Sequence, residues 1–180
     1  SLRMTNDTAG EIPCSELKKG IAQKPNAHYS SISQNDYVIY WECTQCSKLN
    51  KDHGGPQGSL YTFLNKIAKR FPKKQLCTLA YLHTYNPPIN LKIASNITTL
   101  FCPIEMDRGN PISLKNNNKP VANALARWQS ASKNLFVWDY TVQFANYISP
   151  FPNVSYFEEN YTTFKANNVK GLFVQGYADV

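Results

Sequence analysis

The chain has 180 residues, 42% of them hydrophobic and 13% aromatic, with charged residues held to 17%. That composition fills one real core and excludes a solvating, disordered segment. The net charge is +7 with a pI of about 9.1, and no apolar run approaches the roughly 20 residues of a membrane-spanning segment.

In chain order, Leu2 to Thr5 reads as a short strand. Glu16 to Gln23 reads as a helix, with Leu17 and Ile21 four apart. Tyr29 to Ser33 is the next strand, ending at Gln34-Asn35-Asp36. A second apolar run, Tyr37 to Trp41, competes for that assignment. Asp52-His53-Gly54-Gly55-Pro56 is turn chemistry. From about Ser59, Leu60, Phe63, Leu64, Ile67 and Phe71 form one helical stripe, which Pro72 ends.

Leu76 to Tyr81 is a strand, broken off by Pro87-Pro88. Ile97 to Cys102 is another, followed by the polar run Glu105 to Gly109. Pro120 suits the first turn of a helix whose apolar face is Val121, Leu125 and Trp128. Leu135 to Trp138 is a buried-type strand ending in Asp139-Tyr140. Ser155-x-x-Glu158 offers a capping box for a helix carrying Phe157, Tyr161 and Phe164. Val169 to Val174 is the last strand.

Short apolar strands that alternate with amphipathic helices predict an α/β fold, a parallel sheet covered by helices. No linker divides the chain, so residues 1–180 are read as one domain. A complete (β/α)8 TIM-type barrel takes about 250 residues. The chain has room for about six units, so the barrel is expected to be incomplete. The absence of a Gly-rich dinucleotide fingerprint or P-loop makes a nucleotide-binding sheet the weaker choice.

Five cysteines are present: Cys14, Cys43, Cys46, Cys77 and Cys102. Cys43 and Cys46 have the CxxC spacing, without the second pair or His pair that a structural zinc site needs. Structural thiols, a local disulfide, metal binding and redox chemistry all remain open for them. No cofactor and no metal are expected. The Asn-x-Ser/Thr sequons at Asn6, Asn96, Asn153 and Asn160 matter only in a eukaryotic secretory cell. Lys66, Lys69, Arg70, Lys73 and Lys74 make either a solvated helix face or a patch for a polyanion. No nucleic-acid motif accompanies them, so nucleic acid is not expected as a partner.

Parallel α/β sheets bind ligands at the carboxyl ends of their strands. Those ends carry Asn35-Asp36, Tyr81 with His83 and Tyr85, Glu105 and Asp107, Trp138-Asp139-Tyr140, and Gln175 with Tyr177. Aromatic faces with carboxylates and amides suit a sugar, and glycosidase chemistry needs two carboxyl groups flanking the bond. Each residue has a structural reading too. Asp36 is also turn chemistry, Trp138 also core, and His83 also a rim residue. Asp139, after an apolar run, must be paired if it is buried.

Several short motifs together resemble a bacterial family, domain of unknown function 4838. They are Ser31-Ile32-Ser33-Gln34-Asn35-Asp36, Cys43-x-x-Cys46, Gly58-Ser59-Leu60, Thr78-Leu79-Ala80-Tyr81, Trp138-Asp139-Tyr140, Pro150-x-Pro152-Asn153 and Asn168-Val169-Lys170-Gly171. The resemblance implies kinship with hexosaminidase and α-glucuronidase barrels. It places this chain at about strands three to eight, with Ser31 to Asp36 near the fourth. It also implies a periplasmic, cell-surface or secreted location. Hexosaminidases end that strand in Asp-Glu; here the pair is Asn35-Asp36.

The expected function is therefore a glycoside hydrolase acting on an oligo- or polysaccharide. Asp36 is the candidate general acid, with Asp139 or Asp107 as partner carboxylate. Asn35, Tyr81, His83, Trp138, Tyr140 and Gln175 are the candidate sugar-binding residues. The alternatives are a non-catalytic glycan-binding module on the same scaffold and a polyanion binder. An incomplete barrel is also expected to expose strand edges open to self-association.

Overall fold

A computed structural model describes residues 7–40, 42–146 and 149–176. The order of elements is α1 (Asp7–Gln23), β1 (Tyr29–Ser31), α2 (Thr44–Asp52), α3 (Gln57–Arg70), β2 (Gln75–Ala80), β3 (Ile97–Phe101), α4 (Lys119–Ala131), β4 (Asn134–Tyr140), α5 (Phe157–Ala166) and β5 (Gly171–Gln175). The expected strand at Leu2 to Thr5 lies outside the described residues.

The five strands form one sheet in sequence order, β1-β2-β3-β4-β5, and every neighbouring pair is parallel. No strand order reverses, so the sheet winds in one direction as a barrel does. It curls into a half-barrel. In a flat sheet β1 and β4 would stand about 14 Å apart, three strand spacings. Yet the rings of Tyr29 on β1 and Phe136 on β4 meet edge to face with centroids 5.5 Å apart. That contact spans the concave side.

Alternation along the strands sorts the side chains. Leu76, Thr78 and Ala80 of β2, Ile97, Thr99 and Phe101 of β3, and Leu135, Val137 and Asp139 of β4 are all buried against the helix layer. There they meet Tyr61, Leu64 and Ile67 of α3, Leu125 and Trp128 of α4, and Phe164 of α5 in a single core. Trp128 is wholly buried and satisfies its indole N–H on the Tyr85 carbonyl at 2.8 Å. Tyr61 shares a hydrogen bond with Thr99 at 2.9 Å.

The helices differ from expectation in instructive ways. α1 starts at Asp7, not at Glu16, and runs through Pro13, which removes one backbone donor. Its exposed Glu11 accepts two hydrogen bonds from Arg70 of α3, at 2.6 and 3.1 Å. α2 follows directly on Cys43, and the Asn50 side chain of that helix accepts the Ser59 backbone N–H at 3.0 Å, capping α3. A Cβ on Gly58 would stand 2.5 Å from the Leu49 carbonyl, so only glycine lets α2 and α3 pack this closely. α5 begins at Phe157 without a side-chain cap, behind a 3-10 turn over Val154–Tyr156. No α-helix lies between β2 and β3. Residues 37–40 form no strand, and Tyr37, Val38 and Ile39 are exposed.

The sequons at Asn96, Asn153 and Asn160 are spent on the fold. Asn96 donates to the carbonyls of Ala68, Phe71 and Lys74. Asn153 donates to Tyr140, and Asn160 accepts from the Ile112 N–H. Asn6 lies outside the described residues. None of the described helices is long and apolar enough to cross a membrane.

Candidate functional site

The concave side of the half-barrel opens into a cavity of about 310 Å³ at the carboxyl ends of the strands, within the range of small-ligand pockets. Gln34 and Asp36 reach it from the segment after β1. Leu79 and Tyr81 come from the end of β2, Cys102 and Ile104 from beyond β3, Trp138, Tyr140 and Phe144 from β4 and its following loop, and Gln175 from β5. Among the described residues, four aromatic rings therefore share the wall with one carboxylate and two amides.

The aromatic side is built by strand parity. Trp138 and Tyr140 project from alternate residues of β4, with ring planes 28° apart and centroids at 6.3 Å. Phe144 meets Tyr140 at a right angle, 6.0 Å away. Trp138 packs on Phe173 of β5 at 4.5 Å and donates its indole N–H to Gln175 Oε1 at 2.8 Å. That bond fixes the indole and orients the Gln175 amide, whose nitrogen keeps two donors and whose oxygen keeps a second lone pair.

The opposite side is tied by Thr84. β2 ends in a 3-10 turn over Leu82–Thr84, where Leu82 adopts φ 50, a conformation leucine keeps only when its surroundings hold it. They do. Thr84 Oγ1 accepts the Tyr81 N–H at 3.2 Å and donates to the Tyr81 carbonyl at 2.9 Å. Gln34 Nε2 donates to both Thr84 Oγ1 and the Tyr81 carbonyl, at 2.7 and 3.0 Å. The turn that aims Tyr81 is thus bound to the segment that carries Asp36.

Burial, then the charges of Asp36 and Glu105 and a hydrogen-bonding contact with Asp36, push the Tyr81 hydroxyl above the ordinary tyrosine range. Tyr140 is pushed up chiefly by burial, with the Cys102, Tyr81 and Glu105 charges adding and Arg108 opposing. Burial carries the Cys102 thiol up to about 12. At neutral pH these groups are protonated, and the hydroxyls can donate hydrogen bonds.

The structure brings Asp36, Tyr81, Trp138, Tyr140 and Gln175 together and leaves the other sequence candidates elsewhere. Asp139 points to the helix layer, where its Oδ1 accepts from Arg108 Nη1 at 2.6 Å and from the Tyr140 N–H at 2.9 Å. Asp107 closes its own loop, accepting from the Gly109 N–H, Asn110 and Asn117. Those bonds hold its pKa below the usual carboxylate value. Asn35 is exposed and does not line the cavity. His83 lies beside Tyr40 with ring centroids 5.2 Å apart and planes tilted by 34°, its pKa lowered by burial, and stays outside the wall. Tyr177 lies outside the described residues. Gln34, Leu79, Cys102, Ile104 and Phe144, which sequence did not single out as site residues, complete the described wall. Glu105, at a predicted strand end, acts on it by charge.

Cys43 caps α2, its sulfur accepting the Cys46 N–H at 3.4 Å, and Cys46 is buried. Among the described residues no three His, Cys, Asp or Glu side chains are grouped to hold a metal ion. Lys18, Lys73 and Lys74 gather around Phe71 and Pro72. Lys73 and Lys74 also border a cleft with His28 and Tyr29 at the amino ends of β1 and β2, the end of the sheet remote from the cavity.

Parallel strands in sequence order, curled, with an aromatic cavity at their carboxyl ends, define an α/β half-barrel. The chain belongs to the family described as Domain of unknown function (DUF4838), whose sequence model matches residues 1–180. No curated protein matches the chain in sequence.

Proposed function

We propose that the chain is part of a (β/α)8 barrel of the glycoside-hydrolase type that binds an oligo- or polysaccharide in the strand-end cavity. Asp36 is its proton donor. The observation that carries this reading is the wall itself: Tyr81, Trp138, Tyr140 and Phe144 face the same space as Asp36, Gln34 and Gln175. A pyranose has an apolar face that stacks on such rings and hydroxyls that pair with such polar ends. Asp36 is the carboxylate in the wall, in contact with the Tyr81 hydroxyl. Glu105 is the stronger candidate for the second carboxyl group, because its charge acts on Tyr81 and Tyr140 while Asp139 is spent on Arg108 and Asp107 on its loop. The family resemblance supports a periplasmic, cell-surface or secreted location.

The test is turnover of a glycan panel by the protein and its Asp36→Asn variant. A loss of about 10²- to 10⁴-fold is expected for removal of a general acid, and unchanged turnover rejects the role.

Among the described residues the cavity wall holds a single carboxylate, which favours a second reading, a non-catalytic glycan-binding module on the same scaffold, since hydrolysis takes two. Binding that survives Asp36→Asn, with no turnover of any glycan, selects it.

A further inference from the structure

The protein as a whole is strongly basic, but its cavity is not. Among the described residues that line it there is no Lys, Arg or His; the one charged residue is Asp36. Glu105 follows directly on Ile104 of the wall, with its side chain exposed. The nearby cation, Arg108, lies over the Tyr140 ring at 5.3 Å from its centroid, with its guanidinium engaged by Asp139 and the Pro103 carbonyl. It is buried and committed, and cannot swing out to meet an anion without stranding Asp139. Lys18, Lys73 and Lys74 gather at the other end of the sheet.

We infer that the cavity takes a sugar bearing a free amine, a hexosamine unit in its cationic form, and rejects uronic and sulfated sugars. Four aromatic rings and acidic side chains, with the nearby Arg108 already paired by Asp139, are the set that recognises an ammonium group: the ring faces attract it, and the carboxylates neutralise it. The same set repels an anion, which would enter with no partner for its charge. Tyr81 and Tyr140 are held protonated chiefly by burial, with the Asp36 and Glu105 charges adding at Tyr81. This inference rests on the carbohydrate reading of the cavity, catalytic or not.

Titration calorimetry of the protein at pH 6 with three probes tests it: a glucosamine trimer, its N-acetylated form and a galacturonate trimer. The glucosamine trimer is expected to bind at least tenfold more tightly than its acetylated form, with no binding of the galacturonate trimer. Its affinity should fall at least tenfold in Tyr140→Ala and several-fold in the exposed-site variant Glu105→Gln. Equal or tighter binding of the acetylated or galacturonate probe overturns the inference and leaves the carbohydrate reading standing. Binding of none of the three by a folded protein overturns both.

Discussion

Arg108 Nη1 donates to Asp139 Oδ1 at 2.6 Å, with the two side chains only 8% and 2% exposed. The pair joins the loop after β3 to the helix-facing side of β4, directly behind the Tyr140 ring of the cavity. A buried charge left alone by loss of its partner typically costs about 3–5 kcal/mol, whereas an apolar replacement of the whole pair is often neutral. Asp139→Ala is therefore expected to lower the urea-unfolding free energy by that amount. The double variant Arg108→Met, Asp139→Leu should recover most of it. A loss below about 1 kcal/mol for the single variant would falsify the structural role given to the pair.

Gly171 opens β5 opposite Phe136, and a Cβ there would stand 2.8 Å from that ring. Overpacking of this kind costs roughly 1–3 kcal/mol. Gly171→Ala should depress the melting temperature, and adding Phe136→Leu should restore part of the loss. Additive losses in the double variant would place the two residues out of contact.

Asn118 is fully buried and binds the loop that follows β3. Its Oδ1 accepts the Asp107 N–H, and its Nδ2 donates to the carbonyls of Asp107, Asn110 and Pro111. Asn118→Ala removes these bonds, though the Pro111 carbonyl keeps Asn116 as a partner, at about 1–3 kcal/mol for each group left unpaired that water cannot reach. The expected result is a destabilised protein with fast amide exchange over residues 105–111; protection in that loop equal to the parent's contradicts it.

The buried Cys102 thiol keeps its proton up to about 12, against an ordinary value of 9.0. Its raised pKa contributes stability that is intact below pH 9, where folded and unfolded chains both hold the proton. Above pH 9 the unfolded chain releases it first, so stability falls as pH climbs toward 12. Between pH 8 and pH 10 the urea midpoint should drop less in Cys102→Ala than in the parent. Cys77, also raised by burial, is present in both and cancels from the comparison.

Much of the fold was legible because the apolar runs are short and bounded. The stripe Leu60, Phe63, Leu64, Ile67 marks α3, and the strands at Gln75–Ala80, Ile97–Phe101 and Asn134–Tyr140 fall where apolar runs end in polar residues. α2 escaped because Thr44–Asp52 is mostly polar and buries only Cys46, which leaves no apolar stripe to read. Tyr37 to Tyr40 misled in the other direction: an apolar run with no neighbouring strand to pair with.

At the site, the end-of-strand rule brought out the rings and Asp36, but not which way Asp139 faces. In a parallel strand covered on both sides, both parities are apolar. Leu135 and Val137 therefore look no different from Phe136 in sequence, and only the helix layer tells that Asp139 shares their face. Cys102, Ile104 and Phe144 carry no motif, and Gln34 lies inside one without a role assigned to it; they join the wall because the sheet curls.

The spent sequons bear on how the protein can be made. Asn153 and Asn160 are 1% and 2% exposed in the folded chain, and their side chains hold β4's last carbonyl and the Ile112 N–H. A glycan transferred to either one during synthesis in a eukaryotic secretory host would arrive before those bonds form. It would have no space to occupy afterwards, so such a host would divert chains from folding. Asn153→Asp and Asn160→Asp would remove the acceptors but also the Asn153 donor, so a host without the transferase is the better producer.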